Sequence, residues 1–208
     1  MEFDEIVRKR RSIRKYLSVP VGRELIAKII QAGNEAPCAG NIQNWRFIIV
    51  EDEKLKKKIA KAALEQYWIA TAPVVIVVCS DNDEIKKFYG LRGERLYSIQ
   101  NCAAAIENML LKVVELGLGS CWVSAFDENE LSRDLEIPDN VRPQAILPIG
   151  YPAEEVPRAM RFRLEDICFI SKWGNKIEFE DAYLRNYRIG EKLIKSSKNL
   201  IKKIKGKE

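Results

Sequence analysis

Residues 72–80 read APVVIVVCS, and five branched aliphatic residues run unbroken from Val74 to Val78. A strand built from them has no face left for water, so it must be covered on both sides. The run is also too short to cross a bilayer. The neighbouring segments supply the cover. Upstream, RFIIV (46–50) reads as a second strand, and KLKKKIAKAAL (54–64) between the two reads as a helix with a basic outer face. Downstream, residues 92–116 read as one long helix. Leu96, Ile99, Ala103, Ile106, Leu110, Val113 and Leu116 recur at threes and fours, and Gly117 is a stop. Its small residues CAAA (102–105) allow another helix to come close. SCWVSAF (120–126) reads as a strand. DENELSRDL (127–135) reads as a helix, with Asp127 as N-cap and Glu130 in the reciprocal position of a capping box. VRPQAILPIGYP (141–152) closes the series as a strand and turn.

Two helices precede this block. FDEIVRKRRSIRKY (3–16) starts near Asp4 and frays at its arginines. VGRELIAKIIQAG (21–33) carries a stripe of Leu25, Ile26, Ile29 and Ile30, with Gly33 as a stop. NEAPCAGNIQNW (34–45) is a loop. The order predicts an α+β fold, a central mixed or antiparallel sheet covered by helices.

The 208 residues suffice for one domain with a real core, and 47% of them are apolar. Lys plus Arg number 35 against 30 acidic residues, a net charge of +5. Much of the excess lies in the last stretch, KLIKSSKNLIKKIKGKE (192–208), so the body is near neutral. That argues against a nucleic-acid binder, which needs a larger excess on one face. The charged N-terminus has no secretory pattern, and no apolar run predicts membrane insertion. Five cysteines (38, 79, 102, 121 and 168) form no C-x-x-C pair. A reduced, cytoplasmic chain is expected. Histidine is absent, which excludes imidazole bases, His-containing triads, His-ligated zinc and haem. Chemistry then points to a bound cofactor.

GLGSCW (117–122) is not a dinucleotide fingerprint. Its third glycine is missing, and it follows a helix and opens a strand. No phosphate-cradling P-loop occurs either. Arginines remain. RKRRSIRKY (8–16) packs six cations into nine residues, and Arg10, Ser12 and Arg14 alternate where a helix gives way to an extended turn. Two readings stand: a solvated basic helix end, or a phosphate site built from forked guanidinium donors and a hydroxyl. In APCAGNIQNWRF (36–47) the carboxamides of Asn41 and Gln43 suit a heterocycle edge that both donates and accepts. The same loop also reads as a plain turn with Trp45 in the core. Arg161 and Arg163, in AMRFRLEDI (159–167), are further candidates to return to the same anion. Tyr67, Trp68, Phe88 and Tyr89 suit either substrate stacking or packing. Cys79, Cys102 and Cys168 read as core.

RRSIRKY, APCAGNIQNWRF, GLGSCW and LPIGYP (147–152), in this order and at these separations, resemble the FMN-dependent nitroreductase family. The resemblance covers about residues 3–170. It implies a homodimer with FMN at the subunit interface. One domain is expected over 1–180, followed by a basic C-terminal extension over 181–208; of a tail that binds membrane or nucleic acid and a packed arm that wraps the partner, the arm is preferred. By that resemblance Arg10 and Ser12 meet the phosphate and ribityl end, with Arg11 beside them. Arg14 lies near the pyrimidine edge, and Asn41 contacts the flavin with Gln43 next to it. The backbone of Gly119, Ser120 and Cys121 lies by the ring. Arg161 is the late phosphate ligand, with Arg163 as a second choice. Cys38 stands where the family has serine, as a small filler or a redox thiol. Asn44 replaces the usual proline before the tryptophan.

The implied activity is NAD(P)H oxidation with ping-pong hydride transfer through flavin N5 to nitroaromatics, quinones or related electron-poor rings. No catalytic side chain is needed beyond electrostatic support from Arg14. Alternatives are a specialised flavoenzyme of the same fold (flavin destruction, dehalogenation or dehydrogenation) or a flavin-binding protein without turnover. No metal, nucleic acid or membrane partner is expected.

Overall fold

The computed structural model describes residues 1–177. The basic extension expected over 181–208 lies outside the described residues. The chain divides into two compact units, Met1–Pro157 and a second that begins at Arg158.

The first unit follows the expected order. It contains α1 (Phe3–Lys9), α2 (Arg23–Asn34), β1 (Trp45–Val50), α3 (Glu53–Ala62), β2 (Val74–Asp81), α4 (Asp83–Arg92), α5 (Ser98–Glu115), β3 (Gly119–Ser120), α6 (Glu128–Asp134) and β4 (Val141–Gly150). The strands lie in the order β1-β2-β4-β3, and all three ladders are antiparallel. A single parallel bridge joins Ser12 to Ser120.

β2 is central, and seven of its eight residues are buried. Its side chains alternate between two cores. Val74, Ile76 and Val78 pack with Ile26 and Ile29 of α2 and with Ala105, Ile106 and Met109 of α5. Val75, Val77 and Cys79 pack with Ile59 and Ala60 of α3 and Leu131 of α6. β4 divides in the same way, with Ala145, Leu147 and Ile149 on one side and Ile146 on the other. The sheet is therefore the middle layer of three. Each Val or Ile so buried contributes about 1.5–3 kcal/mol.

Local chemistry explains the helix ends. Gly117 stands at φ 73°, its N–H donates to Val114 O at 3.0 Å, and Leu118 N–H donates to Val113 O at 2.9 Å. That is a Schellman cap, which favours glycine at the left-handed position. Asp127 caps α6 by accepting from Glu130 N–H at 2.8 Å. The reciprocal half of the expected capping box is replaced. Asp127 N–H donates to Ala62 O at 2.8 Å, and the Glu130 carboxylate pairs with Lys61 at 3.2 Å.

Four expectations are corrected. Gly33 does not stop α2, which continues to Asn34. It is a contact residue, since a Cβ there would lie 2.8 Å from Met109 Cγ on α5. The long helix over 92–116 is interrupted. α4 kinks at Gly90, and a π-helical turn over Gly93–Tyr97 leads into α5. Gly93 packs so close to α4 that a Cβ would lie 2.4 Å from Ile85 O. The strand over 120–126 pairs only through Gly119–Ser120 and an isolated bridge at Val123. Finally, the basic face of α3 hides one lysine. Lys56 is 2% exposed, donates to Ala72 O at 2.8 Å and pairs with Glu53 at 2.7 Å.

In the second unit Leu164–Ile167 form a short helix, α7, and Phe169 bridges Lys176. Among the described residues no helix is long and apolar enough to cross a membrane.

Candidate functional site

The arginine cluster separates into distinct environments. α1 ends at Lys9, and Arg10 leaves it with extended backbone angles, its N–H still bound to Ile6 O at 3.0 Å. The chain then runs beside β3. Ser12 bridges Ser120, and Ile13 N–H donates to Ser120 O at 2.9 Å. Ile13 and Tyr16 are buried, while Arg14 and Lys15 are exposed. Glu154 holds this stretch by accepting from the N–H groups of Arg14 at 2.6 Å and Lys15 at 3.1 Å.

The guanidinium groups differ in what they touch. Arg11 is engaged with backbone: Nε donates to Val156 O at 3.1 Å, and its NH1 amine to Arg8 O at 2.6 Å and Arg10 O at 2.7 Å. Among the described residues Arg10 has only a long pair with Glu107 of α5, at 3.8 Å. Arg14 sits over the Trp68 ring, 5.7 Å from its centroid. Among the described residues its guanidinium has no hydrogen bond or ion pair.

Beside them lie β3 and the residue that follows it. Gly119, Ser120 and Cys121 are all buried. Burial raises the Cys121 thiol above its usual range. The Arg14 charge, a hydrogen bond with Ser12 and the Arg10 charge each act the other way. The 10–14 segment thus runs along residues 119–121, in contact through Ser12 and Ile13 at Ser120. Ser120 Oγ is buried there without a hydrogen-bond partner among the described residues. A buried hydroxyl left unmatched is costly, so such an atom marks a place for a ligand or water.

The carboxamide loop forms a second cluster. Cys38 leads into a 3-10 turn over Ala39–Asn41, and Gly40 and Asn41 both adopt left-handed angles, φ 59° and 58°. Gln43 Nε2 donates to Asn41 O at 2.6 Å and to Asn41 Oδ1 at 2.8 Å, and it reaches Cys38 Sγ at 3.8 Å. Asn41 and Gln43 are exposed. The Tyr89 hydroxyl of α4 rests on this turn, and a Cβ at Gly40 would lie 2.3 Å from it. Tyr67 and Phe88 are exposed, and Tyr89 stacks edge-on against Tyr97, with ring centroids 5.3 Å apart.

In the second unit Arg163 precedes α7 and pairs with Asp166 at 3.1 Å and Glu165 at 3.5 Å. Arg161 is exposed.

The family model described as "Nitroreductase family" matches residues 7–71 and 63–151. The chain belongs to the nitroreductase family. A protein of Thermus thermophilus named NADH dehydrogenase is 32% identical over 76% of this chain and 91% of its own length. FMN reductase [NAD(P)H] of Bacillus subtilis is 32% identical over 81% of this chain and 73% of its own. The crystal structure of a nitroreductase family protein from Clostridium novyi NT superposes with a TM-score of 0.68. It is 31% identical, covering 88% of this chain and 99% of that chain.

Three residues that shape these clusters were not singled out by the sequence motifs. Glu107 pairs with Arg10, Glu154 holds the backbone of Arg14, and Asn101 of α5 contacts the carboxamide loop. For Asn101 a weak cue existed, since it is an amide among the small and apolar residues Ser98, Cys102 and Ala105.

Proposed function

We propose that this nitroreductase is an FMN-dependent NAD(P)H oxidoreductase, acting on nitroaromatics, quinones or related electron-poor rings. One observation carries the reading: the segment bearing Arg10, Ser12 and Arg14 pairs with the buried residues 119–121 through Ser12 and Ser120, and Ser120 Oγ lacks a partner among the described residues. The residues present fit FMN. Among the described residues Arg10 is held only by a 3.8 Å pair, which leaves donors for a phosphate, and the Ser12 hydroxyl adds another polar group. Arg14 offers a fixed cation, steadied by the Trp68 face, to an electron-rich pyrimidine edge. The Asn41 and Gln43 carboxamides suit the alternating donors and acceptors of a heterocycle. Arg11 serves the backbone instead, holding the turn from α1 to the 12–16 segment. When bound, FMN supplies hydride acceptance and release.

The two clusters meet different parts of α5. Arg10 reaches Glu107, and the carboxamide loop reaches Asn101. Six helical residues separate these by roughly 9 Å along the axis and about 120° around it. We infer that the site is completed by a second copy, whose carboxamide loop faces the cation cluster of the first. Five unpaired cysteines are in keeping with a reducing cytoplasm.

The spectrum of the purified protein tests the reading. A yellow protein that bleaches anaerobically on addition of NADH or NADPH is expected. A colourless protein that takes up no added FMN overturns it.

A further inference from the structure

Position 44 is where this chain departs from the proline that its family resemblance leads one to expect, and Asn44 has an unusual environment. It is 2% exposed, and it faces Asn101, 4% exposed, in the first turns of α5. Asn101 Nδ2 donates to Asn44 Oδ1 at 2.8 Å and to Ile42 O at 3.3 Å. Asn101 Oδ1 accepts from Ala39 N–H at 2.9 Å. One side chain therefore holds the 39–44 segment at three points. Two call for a donor and one for an acceptor, and a carboxamide is the short side chain that supplies both.

The segment needs such a hold. It contains two successive left-handed residues, one of them Asn41, which is not glycine. A proline at 44 would restrict its own φ and the residue before it. Asparagine brings no such restraint. Asn44 N–H donates instead to Ile42 O at 2.9 Å, and its side chain ties the loop to α5. The arrangement leaves a mismatch, because Asn44 Nδ2 is buried without a partner among the described residues. Those two unmatched N–H donors are a cost, and the other end of the side chain has a role that offsets it, since Oδ1 accepts from Asn101.

We propose that Asn101 is a positioning residue of the cofactor site. From beneath, it fixes the loop that presents the Asn41 and Gln43 carboxamides, in a chain that lacks the proline. The proposal rests on the flavin reading of that loop. Asn101 touches no ligand itself and acts through Ala39, Ile42 and Asn44. Replacing it frees the Ala39 amide, so the loop samples other conformations and FMN binds only the fraction still in place.

The test uses the full chain and two readouts. The first is hydrogen exchange of residues 39–44 in FMN-free protein, and the second is FMN affinity by flavin-fluorescence titration. In Asn101→Ala, exchange at Ala39 should rise about tenfold or more, and the FMN dissociation constant should rise by about the same factor. Asn44→Ala, which removes only one of the three holds, should lie between Asn101→Ala and wild type. Asn108→Ala is the control, since Asn108 on the same helix donates to Ala32 O at 3.1 Å, away from the loop. It should lower the melting temperature and change neither readout. If Asn101→Ala fails to fold, Asn44→Ala decides by the same two readouts. Wild-type affinity in a folded Asn101→Ala, with FMN lost in Arg10→Ala, overturns this proposal and leaves the flavin reading standing. A wild-type protein that takes up no FMN removes both.

Discussion

Arg10 and Arg11 are adjacent and chemically identical, yet they carry different expectations. Among the described residues Arg11 makes three bonds to backbone carbonyls, whereas Arg10 makes one long pair with Glu107. Arg10→Ala should therefore remove a charged partner of a phosphate, a loss of about 1.5–3 kcal/mol. That corresponds to roughly 10- to 150-fold weaker FMN binding at nearly unchanged melting temperature. Arg11→Ala should do the opposite. It leaves three carbonyls short of a donor and costs about 1–2 kcal/mol of stability, while FMN affinity stays within about threefold. Titration and thermal melts of the two variants read the contrast, and equal effects on FMN affinity would refute the division of labour. The alternation of Arg10, Ser12 and Arg14 was legible because the segment is extended and Ile13 points inward. The role of Arg11 was not, because its acceptors are carbonyls at Arg8, Arg10 and Val156. No side-chain pattern announces a carbonyl 145 residues away.

At the scale of elements, β2 was the most legible part of the chain, since only a strand covered on both sides tolerates such a run of branched aliphatics. What surrounds it was less so. The break between α4 and α5 depends on backbone proximity at Gly93, and the burial of Lys56 depends on carbonyls at Ala72 and Pro73. Periodicity registers neither. The burial of two thiols, Cys79 of β2 and Cys102 of α5, carries a pH dependence. Burial pushes the thiols of Cys79 and Cys102 up to about 12, from 9.0. A folded-state value above the unfolded one stabilises the fold fully below the unfolded value. That stability is lost as pH rises from about 9 towards 12, at roughly 1.4 kcal/mol per pH unit for each thiol. Urea unfolding at pH 7.5, 9.5 and 10.5 should show this decline. The double variant Cys79→Ala, Cys102→Ala should be less stable at pH 7.5, because it leaves cavities. Between pH 9.5 and 10.5 its stability should fall less steeply. Tyr16, raised by its burial in the same way, is common to both proteins and cancels in the comparison. Parallel pH profiles would mean that the thiols are not the source.

For the whole molecule, the question is whether one chain can make a complete site. The cation cluster and the carboxamide loop meet α5 about 120° apart, and the loop exposes Asn41 and Gln43. If a two-fold partner brings the halves together, each site takes Arg10 from one copy and Asn41 from the other. Damage in different halves is then separable. Neither Arg10→Ala nor Asn41→Ala should hold FMN tightly alone. Mixing the two, unfolding and refolding together, gives about half heterodimers, and each heterodimer has one site with both residues intact. About a quarter of all sites should recover wild-type affinity, read as tightly bound flavin per chain after desalting. The same mixture without exchange of subunits should recover none. If Arg10 and Asn41 served one site within a single chain, every chain would carry one lesion, and refolding together would restore nothing. The recovered fraction thus decides between an intrachain and a shared site without reference to any acceptor.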